Sequence, residues 1–508
     1  MEKKILANCD KEHKKIFTIE NILCLLIIIC PILDVSSFIF RNFFNTNFSI
    51  STFVRPIIPI VAIVYIFFKD KIKPQIIIAG LAYLGYAICH IYIFYKIKTG
   101  CAYGNELREI QYLVNYTFMV MNLFIYMYFF AIKNREKEIA EQTVGTAINK
   151  VKKAVLISLT IYITLMYIAL ITKTSSFTYT ETQLGYKGWF ESGNSIGTIM
   201  LLSLFIVLPM LNKENPLSIR IWVLMITTLV GAYLCTLLGT RTGLFGFIIV
   251  ILAYIFFTVL HNLINKNKLN KKIITVGIII LALVGVVVVT FGSKTIERRK
   301  ELKNKENEIY DTMTNQTAHV TGDTVKIVET IKTGQMDENY MSESMQQAYL
   351  DLYNIANEKQ ISNTNMRNIQ LIYHSSLVKE QNSIPMLLFG NGYMSHYYEM
   401  IFEMEVPAFL FNFGVIGFFL YFIPFLVIAV YGTYIVAKKI KVAKVEFAMA
   451  LSGLWFAIII SFLSGYTFFN SSSMMMIIAL SVIIVNEIKN INDNEIKIYN
   501  PEKGNNTL

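Results

Sequence analysis

The chain has 508 residues, of which 54% are hydrophobic and 16% charged, and its formal net charge is +11. Soluble chains carry roughly 25% charged residues, so this composition cannot solvate the surfaces of several soluble domains. The basic excess sits in short segments between apolar runs and accompanies no RNA-binding motif or aromatic–basic platform, which removes nucleic acid as a partner. The six cysteines show no CxxC spacing and most lie in or beside apolar runs, so neither a disulfide framework nor a zinc site is expected.

Apolar runs of about 17–25 residues recur along the chain, long enough to cross a hydrocarbon core. In lipid every backbone polar group must be satisfied within the chain, and runs that are continuous rather than alternating select helices over barrel strands. In chain order the predicted spans are 19–40, 53–68, 76–95, 111–132, 154–172, 195–211, 221–239, 243–260, 273–292, 407–431, 447–468 and 473–488. The first run continues without a small-residue cleavage site and reads as a membrane helix rather than a signal peptide. The predicted fold class is all-α, a polytopic membrane protein of about twelve transmembrane helices.

Lysine and arginine set the expected orientation. Lys3, Lys4, Lys11, Lys14 and Lys15 crowd the first tail, and alternate loops carry Lys69, Lys71 and Lys73, then Lys150, Lys152 and Lys153, then Lys266 to Lys272, then Lys438 to Lys444. The loops between these are poorer, so both termini are predicted cytoplasmic. The organisation is a cytoplasmic tail at 1–16, nine spans within 17–292, a large extracellular loop at 293–406, three spans within 407–488 and a second cytoplasmic tail at 489–508. Long loops translocate whatever their charge, so the lysines of 293–406 do not disturb the pattern. Within that loop, 329–359 is rich in helix formers and poor in breakers, which predicts a small helical extracellular subdomain.

Several residues stand out against this frame. Asp34 follows Pro31 inside the first span and Arg55 opens the second. An ionisable group at membrane depth is a functional candidate, with a structural ion pair or snorkelling to the interface as the alternative. Arg241 lies in GTRTGLFG (239–246), a turn joining two spans with almost no loop, which holds its guanidinium at the outer surface. The planar fork suits phosphate oxygens. GWFESGNSIG (188–197) opens the sixth span and contains Trp189 and Asn194, read also as an aromatic anchor followed by a helix cap. LFGNGY (388–393) and EMEVPAFLFNFGVIG (403–417) carry Asn391, Glu403 and Glu405 among glycines that permit tight turns.

With SGYTFFNSSS (464–473), these segments occur in an order that resembles the O-antigen ligase and O-antigen polymerase superfamily, in its Gram-positive capsule or exopolysaccharide polymerase branch. The resemblance runs from about Gly185 to Ser473. It implies a GT-C-like, metal-independent glycosyltransferase with no cofactor, acting on a glycan linked to undecaprenyl diphosphate at the outer leaflet of the cell membrane. Arg241 matches the family's arginine at the helix turn, and Arg367, in NTNMR (363–367), matches the arginine inside the large loop. Both are implied to hold the diphosphate. Glu403, with Glu405, stands where ligases carry the histidine that activates the acceptor hydroxyl, and His396 nearby is a second candidate base. Arg55, Trp189, Asn194, Asn391 and His396 form the expected substrate-binding set. Tyr466 occupies a position where the family often has histidine, and no role is carried onto it.

The implied chemistry is coherent, because a glycosyl diphosphate develops negative charge on the leaving group that two arginine forks neutralise, while a carboxylate takes the hydroxyl proton. The first external loop, 41–52, has no acidic residue and the external segments have no Asp-x-Asp pattern, which weakens a mannosyltransferase-like reading. The competing functions are a ligase moving finished glycan to another acceptor, a flippase or transporter, and a non-catalytic scaffold. A transporter expects similar halves and charges near the midplane, whereas the span centres are nearly charge-free apart from Asp34. The expected partners are the lipid-linked glycan and membrane lipid, with a flippase and a chain-length regulator as protein partners.

Overall fold

The computed structural model describes residues 18–46, 50–69, 74–97, 106–133, 146–179, 183–213, 219–265, 271–292, 296, 300, 324–336, 338, 341–359, 366–393, 402–463 and 465–499. The described residues are helical almost throughout. The first nine helices are α1 (Ile19–Phe43), α2 (Ile50–Lys69), α3 (Pro74–Ile97), α4 (Glu106–Tyr126), α5 (Thr146–Ile171), α6 (Gly193–Val207), α7 (Ile219–Leu237), α8 (Arg241–Ile264) and α9 (Lys271–Phe291). Four shorter helices follow, α10 (Thr324–Lys332), α11 (Glu343–Glu358), α12 (Met366–Gln381) and α13 (Ile384–Phe389). The chain then closes with α14 (Glu405–Tyr421), α15 (Ile423–Lys438), α16 (Val445–Leu463) and α17 (Ser471–Tyr499).

Each predicted span overlaps helix, although the one predicted at 447–468 ends early, at Leu463. Among the described residues, nine helices are long and apolar enough to cross a membrane, or ten with the bent pair α14–α15 taken as one span. The continuous helix expected at 407–431 is instead two helices bent by 46°, because Pro424 stands in the first turn of α15 and cannot extend the ladder from α14. Helices α6 and α17 form the centre, with the most buried spans of the bundle. Helix α17 packs on α6, α16, α15 and α4, α1 packs on α5, and α7, α8 and α9 pack against one another. Helix α3 presents Ile77, Ile78, Leu81, Leu84 and Ile88 outward, a face that only lipid or another apolar surface can solvate.

Two features depart from the sequence expectations. The approach to α6 forms a hairpin that the sequence did not suggest, β1 (Ser176–Tyr179) paired antiparallel with β2 (Leu184–Gly188). Strands this short have too little alternation to be read from sequence. The stretch 329–359 is helical but broken: Gly334 turns the chain at φ 70 between α10 and α11. These helices and α12 enclose a small core of Val328, Ile331, Met341, Met345, Tyr349 and Tyr373, and an Asp351–Lys379 ion pair of 2.6 Å ties α11 to α12. At the end of the bundle carrying the Lys-rich turns, a buried Lys152–Glu446 pair joins α5 to α16, and Lys444 meets Glu487 at 3.3 Å.

Candidate active site

The glycine-rich segments 388–393 and 411–417 cross each other. Helix α14 breaks at Gly414, whose φ of 69 and ψ of −177 are non-helical. A side chain at Gly390 would stand 2.1 Å from the Asn412 carbonyl oxygen, and one at Gly414 would stand 2.4 Å from the Gly390 nitrogen. A break in an apolar environment leaves carbonyls that need donors. They are supplied from elsewhere: Asn391 N–H donates to the Phe411 carbonyl at 3.0 Å, Gly392 N–H to that of Asn412 at 2.9 Å, and the Tyr86 hydroxyl to that of Phe413 at 2.7 Å.

The threaded segment is clamped from α3 and α4. His90 and Glu109 are both fully buried and joined at 2.9 Å through Nε2 and Oε1. His90 Nδ1 lies 2.6 Å from the Phe389 carbonyl. A carbonyl oxygen can only accept, so Nδ1 carries a proton. The Tyr393 N–H then donates to both oxygens of Glu109 at 3.0 Å. The start and end of the loop are therefore held by one buried acid–imidazole pair. Asn391 is fully buried and its amide donates to His374 Nδ1 at 3.1 Å, while His374 stacks on Phe402 at 4.1 Å. Asn391 thus bonds α12 to the crossing.

Glu403 and Glu405 part company. Glu405, the first residue of α14, is fully buried, and its carboxylate accepts the N–H groups of Thr467, Phe468 and Phe469 at 2.7, 2.7 and 2.8 Å. A run of consecutive amides converging on a carboxylate is an anion nest. Glu403 is open, its side chain 52% exposed, and accepts from Arg367 Nε at 3.2 Å. Its own N–H donates to Gln370 Oε1 at 2.9 Å, which fixes the backbone of Glu403 to the same helix that carries Arg367.

Asp34 and Arg55 form an ion pair of 2.5 Å between α1 and α2. Arg55 Nη2 also donates to Ser472 Oγ at 2.8 Å, Ser472 donates to Asp34 Oδ1 at 2.9 Å, and Tyr162 donates to Asp34 Oδ2 at 2.6 Å. Charges taken out of water need this density of partners. The cluster sits behind the nest, since Ser472 follows directly on the loop that wraps Glu405.

Arg241 is the first residue of α8 and is exposed. Thr240 caps the helix, accepting the Gly243 N–H at 3.1 Å. The turn before it is covered by the hairpin, because a side chain at Gly185 would stand 2.4 Å from the Leu238 carbonyl oxygen. Phe190, just past the hairpin, meets Tyr162 with ring centroids 5.4 Å apart. Tyr162 in turn bonds Asp34, so the segment that follows the hairpin touches the Asp34–Arg55 cluster. Trp189 is partly buried and donates from Nε1 to Thr174 Oγ1 at 2.9 Å. Asn194 lies in the first turn of α6, which Ser192 caps. His396 lies outside the described residues. Sequence reasoning passed over His90, Glu109, Tyr162 and Ser472. An acid and a histidine in or beside apolar helices were the available signal for the first two.

These observations define an all-α, multi-pass membrane protein. Over residues 17–490 the chain matches the family described as O-antigen ligase like membrane protein, and it belongs to that family. The family supports a role in the processing of lipid-linked glycans and a glycosyl-transfer type of chemistry. No curated protein and no solved structure matches the chain.

Proposed function

We propose that the protein is a lipid-linked oligosaccharide polymerase. It joins undecaprenyl-diphosphate-linked repeat units at the outer leaflet of the cell membrane into a capsule or exopolysaccharide. The observation that carries this reading is the open Arg367–Glu403 pair set beside a buried, immobilised Glu405.

The acceptor hydroxyl attacks the anomeric carbon of the donor, the bond from that carbon to the diphosphate oxygen breaks, and undecaprenyl diphosphate leaves with the electron pair. Glu403 takes the hydroxyl proton. Arg241 and Arg367 neutralise the diphosphate as it departs. The donor diphosphate competes with Glu403 for the Arg367 fork, so donor arrival frees the carboxylate for its task as base. Glu405 is a positioning residue in this scheme, because its lone pairs are committed to the loop amides. A flippase that delivers the donor and a chain-length regulator are the protein partners of such an enzyme.

Incubating the purified full-length protein with its lipid-linked repeat unit alone tests the reading. A ladder of higher oligomers is expected. Transfer only when a different cell-surface acceptor is added would make the protein a ligase, and no transfer in either case would remove the transferase reading.

A further inference from the structure

Five non-glycine residues among those described have a left-handed backbone: Asn45, Lys173, Gln183, Asn382 and Tyr466. Asparagine tolerates this region, and Lys173 and Gln183 end a helix and fill a hairpin turn. Tyr466 is the one aromatic residue in the set, with φ 69, and a bulky side chain there is strained. The nest accounts for how the strain is held: the N–H of Tyr466 joins those of residues 467–469 on the Glu405 carboxylate. It does not account for why the residue is a tyrosine, since glycine would make the same nest without strain.

The ring is spent outward. Tyr466 is 54% exposed although its neighbour Thr467 is fully buried. The residue before it abuts the backbone of the proposed base, because a side chain on Gly465 would stand 2.6 Å from the Glu403 carbonyl oxygen. On the far side of the nest Phe469 meets Tyr393 at 6.1 Å between ring centroids, and Tyr393 meets Tyr112 at 4.2 Å. Tyrosines that merely anchor a protein at a membrane interface need no special backbone. An exposed ring fixed at a strained position beside a base is the arrangement expected of a pre-organised binding surface.

We propose that Tyr466 is a stacking platform for a pyranose ring of the acceptor glycan and presents that sugar's hydroxyl to Glu403. The inference rests on the transferase reading for its catalytic consequence, while the binding of sugar stands on the aromatic surface itself.

The test uses full-length protein in nanodiscs. The donor is lipid-linked repeat unit purified from producing cells, and the acceptor probe is the same oligosaccharide freed from its lipid by mild acid. Tyr466→Gly and Tyr466→Asn both accept the left-handed backbone. They are expected to melt at the same or a higher temperature than wild type. The KM for the freed oligosaccharide should rise roughly three- to ten-fold, with kcat within about two-fold. Tyr466→Phe keeps the ring and should keep the wild-type KM. An unchanged KM in the glycine variant overturns the platform. So does a Tyr466→Phe variant as impaired as Tyr466→Gly, which would assign the effect to the hydroxyl. A change confined to lipid dependence, with KM constant, would make Tyr466 a membrane anchor and also overturn it. Saturation-transfer NMR of the freed oligosaccharide supplies the readout without turnover. Contact signals with wild type that vanish in Tyr466→Gly support the platform even if the transferase reading fails, and their absence with wild type overturns it.

Discussion

Gly390 and Gly414 cross so closely that neither can carry a side chain: the two virtual Cβ positions lie 2.1 Å from the Asn412 oxygen and 2.4 Å from the Gly390 nitrogen. Both residues also have positive φ, 88 and 69. Gly390→Ala and Gly414→Ala therefore suffer backbone strain of about 1–3 kcal/mol each before the clash is counted. The clash is with backbone, which has no rotamer to yield. Both variants are expected to lower the melting temperature in detergent and to lose polymer formation together. A Gly414→Ala protein with wild-type melting behaviour would show that the helix break can relax.

The two acids of the Glu-Met-Glu segment should separate cleanly on mutation. Glu403→Gln is expected to keep the wild-type melting temperature, since its side chain is exposed, and to lose turnover while still binding donor. Glu405→Gln replaces an acceptor-only group by one that brings two donors into a site lined with N–H groups. A destabilisation of about 1–3 kcal/mol is expected from the unmet amides. Thermal melting and donor-binding titrations run side by side distinguish the two. Loss of donor affinity in Glu403→Gln would contradict its assignment as base.

The proposed mechanism gives the diphosphate to Arg241 and Arg367, and both are exposed enough to be replaced without collapse of the fold. Alanine at either position is expected to cut turnover by about 10²–10³-fold, the usual cost of losing one preorganised charge-stabilising donor. Lysine should rescue little, because a point charge does not reproduce a bidentate fork. Normal chain-length ladders from either alanine variant would remove that residue from the mechanism.

Arg55 entered the substrate-binding set from sequence, and the structure pairs its Nη2 with Asp34 and Ser472. Arg55→Ala strands the Asp34 carboxylate and is expected to cost about 3–5 kcal/mol. The double variant Arg55→Leu with Asp34→Leu removes both charges and should recover most of that loss. Full polymer formation by the stable double variant would assign the pair a structural task alone. A stable but inactive double variant would keep Arg55 as a substrate ligand.

What the sequence determined alone was the membrane architecture. Apolar run length and continuity are local properties, and lipid forbids any unpaired backbone, so each run had to become a helix. The ordered segments around Arg241, Arg367 and Glu403 were legible for the same reason, as short contiguous patterns. The tertiary structure decided which groups in those segments are spoken for. Glu403 and Glu405 look equivalent along the chain, and only the return of residues 467–469 buries one and leaves the other in the open. The clamp of Glu109 on Tyr393 spans 284 positions, and the bond from Arg55 to Ser472 spans 417. No local pattern encodes such pairs, because their energy arises only when packing strips water from both partners at once.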